Sequence, residues 1–257
     1  MHPILFEAGS LTIYSYGFLI AIGCIGGFTY MWRTSKMSFD QANSLFILLI
    51  IAGIVGGKLF MIFEDPAAYL RHPGRLISSR GFVFYGSLLL CIPTMLLFFK
   101  KNKLPVAWML DIMAVVTCIV HGFGRLGCFM AGCCYGLPTD SHLGVIFTNP
   151  VCQAEPLNTP LHPTQLYESV FIFTLMTALL VLRKHKGFDG QVFLVYLMGY
   201  AIGRSVIEMF RGDIQRGFVI RDLVSNSQLI SLLVVAVAIY FYVKLNRKAK
   251  LIVNNTP

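Results

Sequence analysis

GRLGCFMAGCCYG, residues 124–136, directly follows an apolar run and sets one arginine and three cysteines in a glycine-rich frame. Small residues recur every three or four positions, so the backbone can approach neighbouring helices or a lipid head group closely. Arg125 falls where an apolar helix gives way to a loop. A charge there is costly without a partner, which makes it a functional candidate. The alternative reading is a tight helix contact with the arginine snorkelling to the interface.

The run before this stretch is one of seven. Apolar segments of about 17–25 residues, the length that crosses a bilayer, lie near residues 13–31, 42–63, 82–99, 104–121, 169–182, 191–209 and 229–243. The fold class expected is therefore all-α, a polytopic membrane protein with seven transmembrane helices in a single integral membrane domain, residues 1–257. Its longest break, about residues 122–168, reads as a functional loop region. Composition agrees: 56% of the 257 residues are hydrophobic and 13% charged, with a mean hydropathy of +0.70. Those values exclude an ordinary soluble domain. A net charge of +9 is then a topology signal, and no aromatic-plus-basic module points to nucleic acid. The first residues, MHPILFEAGSLT, lack a basic segment, so no cleavable signal is expected.

Basic residues orient the spans. Arg33 and Lys36, then Lys100, Lys101 and Lys103, then Arg183, Lys184 and Lys186, then Lys244, Arg247, Lys248 and Lys250 share one side. The positive-inside rule makes that side cytoplasmic, with the N-terminus outside and the C-terminus inside. The opposite side carries Arg71, Arg75, Arg80, Arg125, Arg204, Arg211, Arg216 and Arg221, and no lysine. Arginine offers a planar fork of donors suited to phosphate or carboxylate, so this face points to anion recognition.

Three further constellations could carry chemistry. In GRSVIEMFRGD, Arg204, Glu208 and Arg211 stand at i, i+4 and i+7 and share a helix face. A pair there locks one arginine while another takes an anion. In LHPTQLYES, His162 is an acid–base candidate or a hydrogen-bonded loop residue, and Gln165, Tyr167 and Glu168 offer polar contacts or a helix cap. In SRGFVFYGS, Arg80 and Tyr85 flank the start of the third span, where a phenol serves as donor or orienter. Tyr16, in YSYG, belongs to the outer aromatic belt. Cys128, Cys133, Cys134 and Cys152 fall on or after the opening stretch. C-x4-C-C is not a recognised zinc spacing. Packing ranks first for these cysteines, a disulfide second and metal last, and no metal or cofactor is expected.

The blocks RGFVFYGS, GRLGCF with Gly136 beyond it, HPTQLYES and GRSVIE occur in one order from Tyr16 to about Asp213. Together they resemble the bacterial prolipoprotein diacylglyceryl transferases. The resemblance implies a seven-span enzyme of the bacterial cytoplasmic (inner) membrane, with its active site toward the outer leaflet. It implies transfer of the diacylglyceryl group of phosphatidylglycerol to the thiol of a prolipoprotein lipobox cysteine, forming a thioether and releasing glycerol phosphate. The partners implied are phosphatidylglycerol, signal peptides with a lipobox cysteine, and membrane lipids. The pattern matches Arg125 and Arg204 to the family's essential arginines, Glu208 to its acidic partner, Tyr16 to its first-span tyrosine and Gly136 to its motif glycine. The catalytic set expected is Arg125, Arg204, Glu208, Tyr85 and His162, with Tyr16, Arg80, Cys128, Gly136, Gln165 and Arg211 binding substrate. This chain departs from the family at Cys128 and Ala131, which replace asparagines, at Cys133, which replaces a glutamate, and at Tyr85, which replaces a histidine. That last change leaves the base open, with His162 or Glu168 as substitutes. The alternatives are a divergent transferase of the same fold and a non-catalytic lipid-binding protein.

Overall fold

The computed structural model describes residues 1–9, 11–64, 66–71, 74, 83–212, 218–220 and 224–254. A hairpin of β1 (Ile4–Ala8) and β2 (Leu11–Tyr14) leads into α1 (Ser15–Thr34). There follow α2 (Phe39–Leu59), the short α3 (Met61–Glu64) and α4 (Pro66–Arg71), α5 (Phe84–Lys101) and α6 (Val106–Ala131). The pair β3 (Val145–Ile146) and β4 (Pro160–Leu161) precedes α7 (Thr164–Lys184) and α8 (Gln191–Glu208). Strands β5 (Phe218–Ile220) and β6 (Val224–Ser225) precede α9 (Asn226–Asn254). Among the described residues, five helices are long and apolar enough to cross a membrane: Ser15–Thr34, Phe39–Phe63, Val106–Ala131, Thr164–Lys184 and Ser227–Leu251. Their outward faces keep Ile25, Ile54, Val170 and Leu232 exposed, as lipid-facing helices require. The molecule is a mostly helical, multi-pass membrane protein.

The chain divides into two compact units, Met31–Met109 and the remainder, Met1–Tyr30 with Leu110–Pro257. In the first, α2 and α5 touch backbone to backbone at Gly56 and Gly86, and Ser87 Oγ donates to the Gly53 carbonyl at 2.7 Å. In the second, Gly23 and Gly27 of α1 admit Phe123 and Val120 of α6, and a Cβ on Gly203 of α8 would overlap the Phe171 ring of α7. Small residues thus do in these helices what they do in membrane bundles generally, letting backbones close. Ala114, Val115, Cys118, Ile172, Leu179 and Val192 form the core between α6, α7 and α8.

One end of that core is tied by a buried acid. Asp111 of α6, 1% exposed, accepts from the Gly190 and Phe193 amides, both at 3.0 Å, and pairs with Lys186 at 2.9 Å. Gly190 is the N-cap of α8 and brings no side chain to the job. Asp111 therefore caps α8 from a neighbouring helix, satisfying orphan amides and meeting the positive end of the helix dipole.

The helix expected to end near residue 121 continues to Ala131. Nothing in residues 122–131 removes a backbone donor, so the ladder propagates until Gly132, whose φ of +75° ends it. Gly132 N–H bonds the Phe129 carbonyl at 3.2 Å and Cys133 N–H bonds the Cys128 carbonyl at 3.1 Å. That is a Schellman motif. Helix α7 likewise starts at Thr164, five residues before the expected 169. The intervening loop, 132–163, has its own small core of Phe147, Cys152, Ala154 and Leu161.

Candidate functional site

The site lies where α6, α7 and α8 bring charges together opposite the Asp111 end. Glu168 of α7, 2% exposed, is its centre. Its Oε2 receives Arg125 Nε at 3.0 Å, and its Oε1 meets His121 Nε2 at 3.2 Å and the Tyr200 hydroxyl at 3.3 Å. Arg125 Nε also lies 3.2 Å from His121 Nε2, a contact that would need an unprotonated nitrogen. Both cannot hold. A bare Nε2 would set its lone pair against the buried carboxylate, so we place the proton on Nε2, donating to Glu168, and assign Arg125 Nε–H to Glu168 Oε2.

Helical spacing explains the assembly. His121 and Arg125 are i and i+4 on α6, and Tyr200 and Arg204 are i and i+4 on α8, so each pair shares a face. Arg204 Nη2 pairs with Glu208 Oε2 at 2.6 Å. Its Nη1 is buried and has no partner among the described residues. The Arg125 contacts engage Nε alone among the described residues, which leaves the terminal fork out of the pair. A buried charged donor without an acceptor costs several kcal/mol, on the order of 1–3 or more, and invites an anionic ligand.

Gly136 is a crossing point. It bonds the His162 carbonyl at 2.8 Å and bridges Arg211, while Leu137 N–H bonds the Phe210 carbonyl at 2.9 Å. A Cβ at Gly136 would lie 2.5 Å from the Phe210 oxygen and 2.6 Å from His162 Cβ. Only glycine lets these three segments meet. Thr164 Oγ1 and Gln165 Nε2 donate to the Cys134 and Cys133 carbonyls at 2.8 and 2.7 Å, pinning the loop to the start of α7. Gln165 Oε1 stays buried without a partner among the described residues.

Of the other residues expected in the site, Tyr16 of α1 packs its ring and backbone on Gly127. Cys128 lies on the last turns of α6, with its sulphur, Cys133 Sγ and Cys134 Sγ all within 4.8 Å of one another. All seven cysteines are free. Hydrogen bonds from Cys128 and Cys133 draw the Cys134 thiol well below its ordinary range, and the Arg125 and Arg211 guanidiniums pull the same way. His162 shares a 3.1 Å hydrogen bond with the Tyr167 hydroxyl and packs against Phe210, which is the loop-residue reading. Tyr85, 58% exposed, sits at the start of α5 in the other compact unit. Arg80 lies outside the described residues. His121 and Tyr200 were not expected, although their i, i+4 spacing to the two arginines was there to be read.

Helices α7 and α8 leave an open apolar groove of about 440 Å³, lined by residues that include Tyr167, Phe171, Gly199, Val206 and Gly203, the residue before Arg204 in sequence.

Residues 3–244 match the family model described as prolipoprotein diacylglyceryl transferase. The chain belongs to that family. It is 39% identical over 246 residues to the phosphatidylglycerol--prolipoprotein diacylglyceryl transferase of Clostridium tetani, covering 94% of this chain and 97% of the relative. A Clostridium perfringens relative, phosphatidylglycerol--prolipoprotein diacylglyceryl transferase 2, is 35% identical over 248 residues, covering 94% of each. One from Dehalococcoides mccartyi is 30% identical over 260 residues, covering 99% and 97%.

Proposed function

We propose that this protein transfers the diacylglyceryl group of phosphatidylglycerol to the thiol of a prolipoprotein lipobox cysteine. The carrying observation is the buried Arg204 Nη1 without an acceptor among the described residues, beside Arg125, whose fork is left over from its Glu168 contact. A sulphur–carbon bond forms as the bond from that carbon to the phosphate oxygen breaks, and the electron pair leaves with glycerol phosphate. The two arginines, preoriented by Glu168 and Glu208, meet the charge that develops on the departing phosphate. His121 takes the thiol proton: its Nε2–H is committed to Glu168, which makes Nδ1 the basic nitrogen. His162 positions Tyr167. Tyr16, Gln165 and Arg211 frame the head group together with Cys128, and Gly136 holds their loops. Arg80 and Tyr85 are assigned to this reaction by the family pattern alone. The donor's acyl chains lie in the α7–α8 groove, one residue from Arg204.

The arrangement fits one membrane domain of seven spans in the bacterial cytoplasmic (inner) membrane, with the N-terminus outside, the C-terminus cytoplasmic and the site toward the outer leaflet. Supporting this, basic residues close α5 and α7 at Lys100, Lys101, Arg183 and Lys184. Reporter fusions after Lys103 and Lys186 should face the cytoplasm, and fusions within 140–158 the outside. The decisive assay incubates purified protein with phosphatidylglycerol and a lipobox peptide. The peptide should gain the diacylglyceryl mass as glycerol phosphate appears. Stoichiometric lipid binding without turnover would instead favour the lipid-binding alternative.

A further inference from the structure

Cys128, Cys133 and Cys134 are brought together by a turn that does more than end a helix. The bond from Cys133 N–H to the Cys128 carbonyl folds Cys133 over the last helical turn. Cys134 then adopts a left-handed backbone with φ of +60°, a conformation that costs a non-glycine residue about 1–3 kcal/mol. Thr164 and Gln165 hold the carbonyls of Cys134 and Cys133 in that shape. The result is three free thiols with all sulphurs within 4.8 Å of one another, each half-buried. Three thiolates around a d10 cation, at a metal–sulphur distance of about 2.3 Å, sit about 4.0 Å apart. Closing by less than about 1 Å, within rotamer adjustment, completes such a site.

We infer that Cys128, Cys133 and Cys134 form a three-thiolate site for one thiophilic d10 cation, of the Zn2+ or Cu+ class. Thiolate softness selects that class over Mg2+ or Ca2+. Binding is balanced as Zn2+ plus three thiols giving a tris-thiolate zinc unit of charge −1 and three protons. Arg125 stands at i, i+3 from Cys128 on the same face of α6, and the Arg211 backbone bridges Gly136 two residues past Cys134. Both supply positive charge to offset the complex. The linear spacing C-x4-C-C hides the site, because the Schellman turn sets the proximity. Cys128, Arg125 and Arg211 are shared with the proposed transfer site, so the inference is read by metal binding and thiol protection, independently of turnover.

The test uses the full-length protein in detergent, reduced and stripped of metal. It is titrated with Zn2+ against a chromophoric chelator, and with Cd2+ followed by thiolate-to-cadmium charge-transfer absorption. One equivalent should bind. Cys128→Ser, Cys133→Ser and Cys134→Ser should each weaken binding by about 100-fold or more, at least the upper range for losing a mere outer-shell partner, while Cys24→Ser matches wild type. No binding by folded wild type, or equal affinity in the three variants, would overturn the site. A measurement on wild type alone guards against misfolded variants: Zn2+ should protect these three thiols from maleimide, mapped by peptide mass. Unchanged labelling rates with Zn2+ would overturn it equally.

Discussion

Helix α6 carries a buried ion cluster at each end, about 21 Å apart for 14 residues of helix, and the two are built from the same materials. At Asp111 each carboxylate oxygen has a donor, Lys186 and the Gly190 amide on Oδ2 and the Phe193 amide on Oδ1, and every partner is part of the fold. At Glu168 the carboxylate is equally well served, by Arg125, His121 and Tyr200, but the cations are not used up. Arg204 Nη1 has no acceptor among the described residues. A closed set of donors and acceptors stabilises; a set with donors left over binds. On the proposed function, what separates the two ends is the remainder after pairing, not the residue types.

Five substitutions press on that difference. The largest effect is expected at the Glu168 end. Arg125→Lys keeps the charge and loses the fork, so transfer should fall by about 10²–10³-fold, roughly 3–4 kcal/mol of barrier, with folded yield unchanged. Turnover of phosphatidylglycerol by amounts matched for folded protein measures it, and near-normal turnover would remove the fork from the mechanism. Asp111→Ala should show the reverse, a stability loss of about 3 kcal/mol with normal turnover per folded molecule. Denaturant titration in detergent reads the first quantity. If activity per folded molecule collapsed instead, the two ends would not be separate in role.

Glu168→Gln should lower turnover by about 10–100-fold, as loss of an orienting partner does elsewhere, and Glu208→Gln by less, since it holds Arg204 through one contact. Equal losses in the two would show that the glutamates share one task. The smallest effect belongs to Lys186→Met, below about 1 kcal/mol, because the ammonium is partly exposed and screened. Burial by itself would lower the pKa of Lys186, but hydrogen bonds to Asp189 and Asp111 outweigh it and leave the value raised. The sign follows: the stabilisation is whole below the lysine's unfolded pKa and is lost as pH rises through the folded value. The variant and wild type should therefore converge in stability only in strong alkali.

Much of this was legible in residue order. Apolar runs announce membrane helices because a backbone in lipid must pair with itself, and the arginine-only set included Arg125 and Arg204, the two that pair with buried glutamates. What was hidden depended on turns and on partners distant in sequence. The extension of α6 to Ala131 was masked because glycine-rich sequence reads as loop, although the first left-handed φ in that stretch comes only at Gly132. Asp111 and His121 are single polar residues inside apolar stretches, and their partners Lys186 and Glu168 lie far away in sequence. The nearness of Cys128 to Cys133 and Cys134 came from a hydrogen-bonded turn that spacing alone does not express.

The apolar groove between α7 and α8 lies open along the flank of the helices, with Ile202 and Val206 exposed on its wall. On the proposed function, a phospholipid donor enters along that flank by sliding in the plane of its leaflet, its tails never meeting water. Encounter then becomes a two-dimensional search, and the donor's effective concentration is its mole fraction among neighbouring lipids. Diluting phosphatidylglycerol with a neutral lipid at constant total donor should slow turnover, whereas adding more vesicles of the same composition should not raise the rate per bound enzyme.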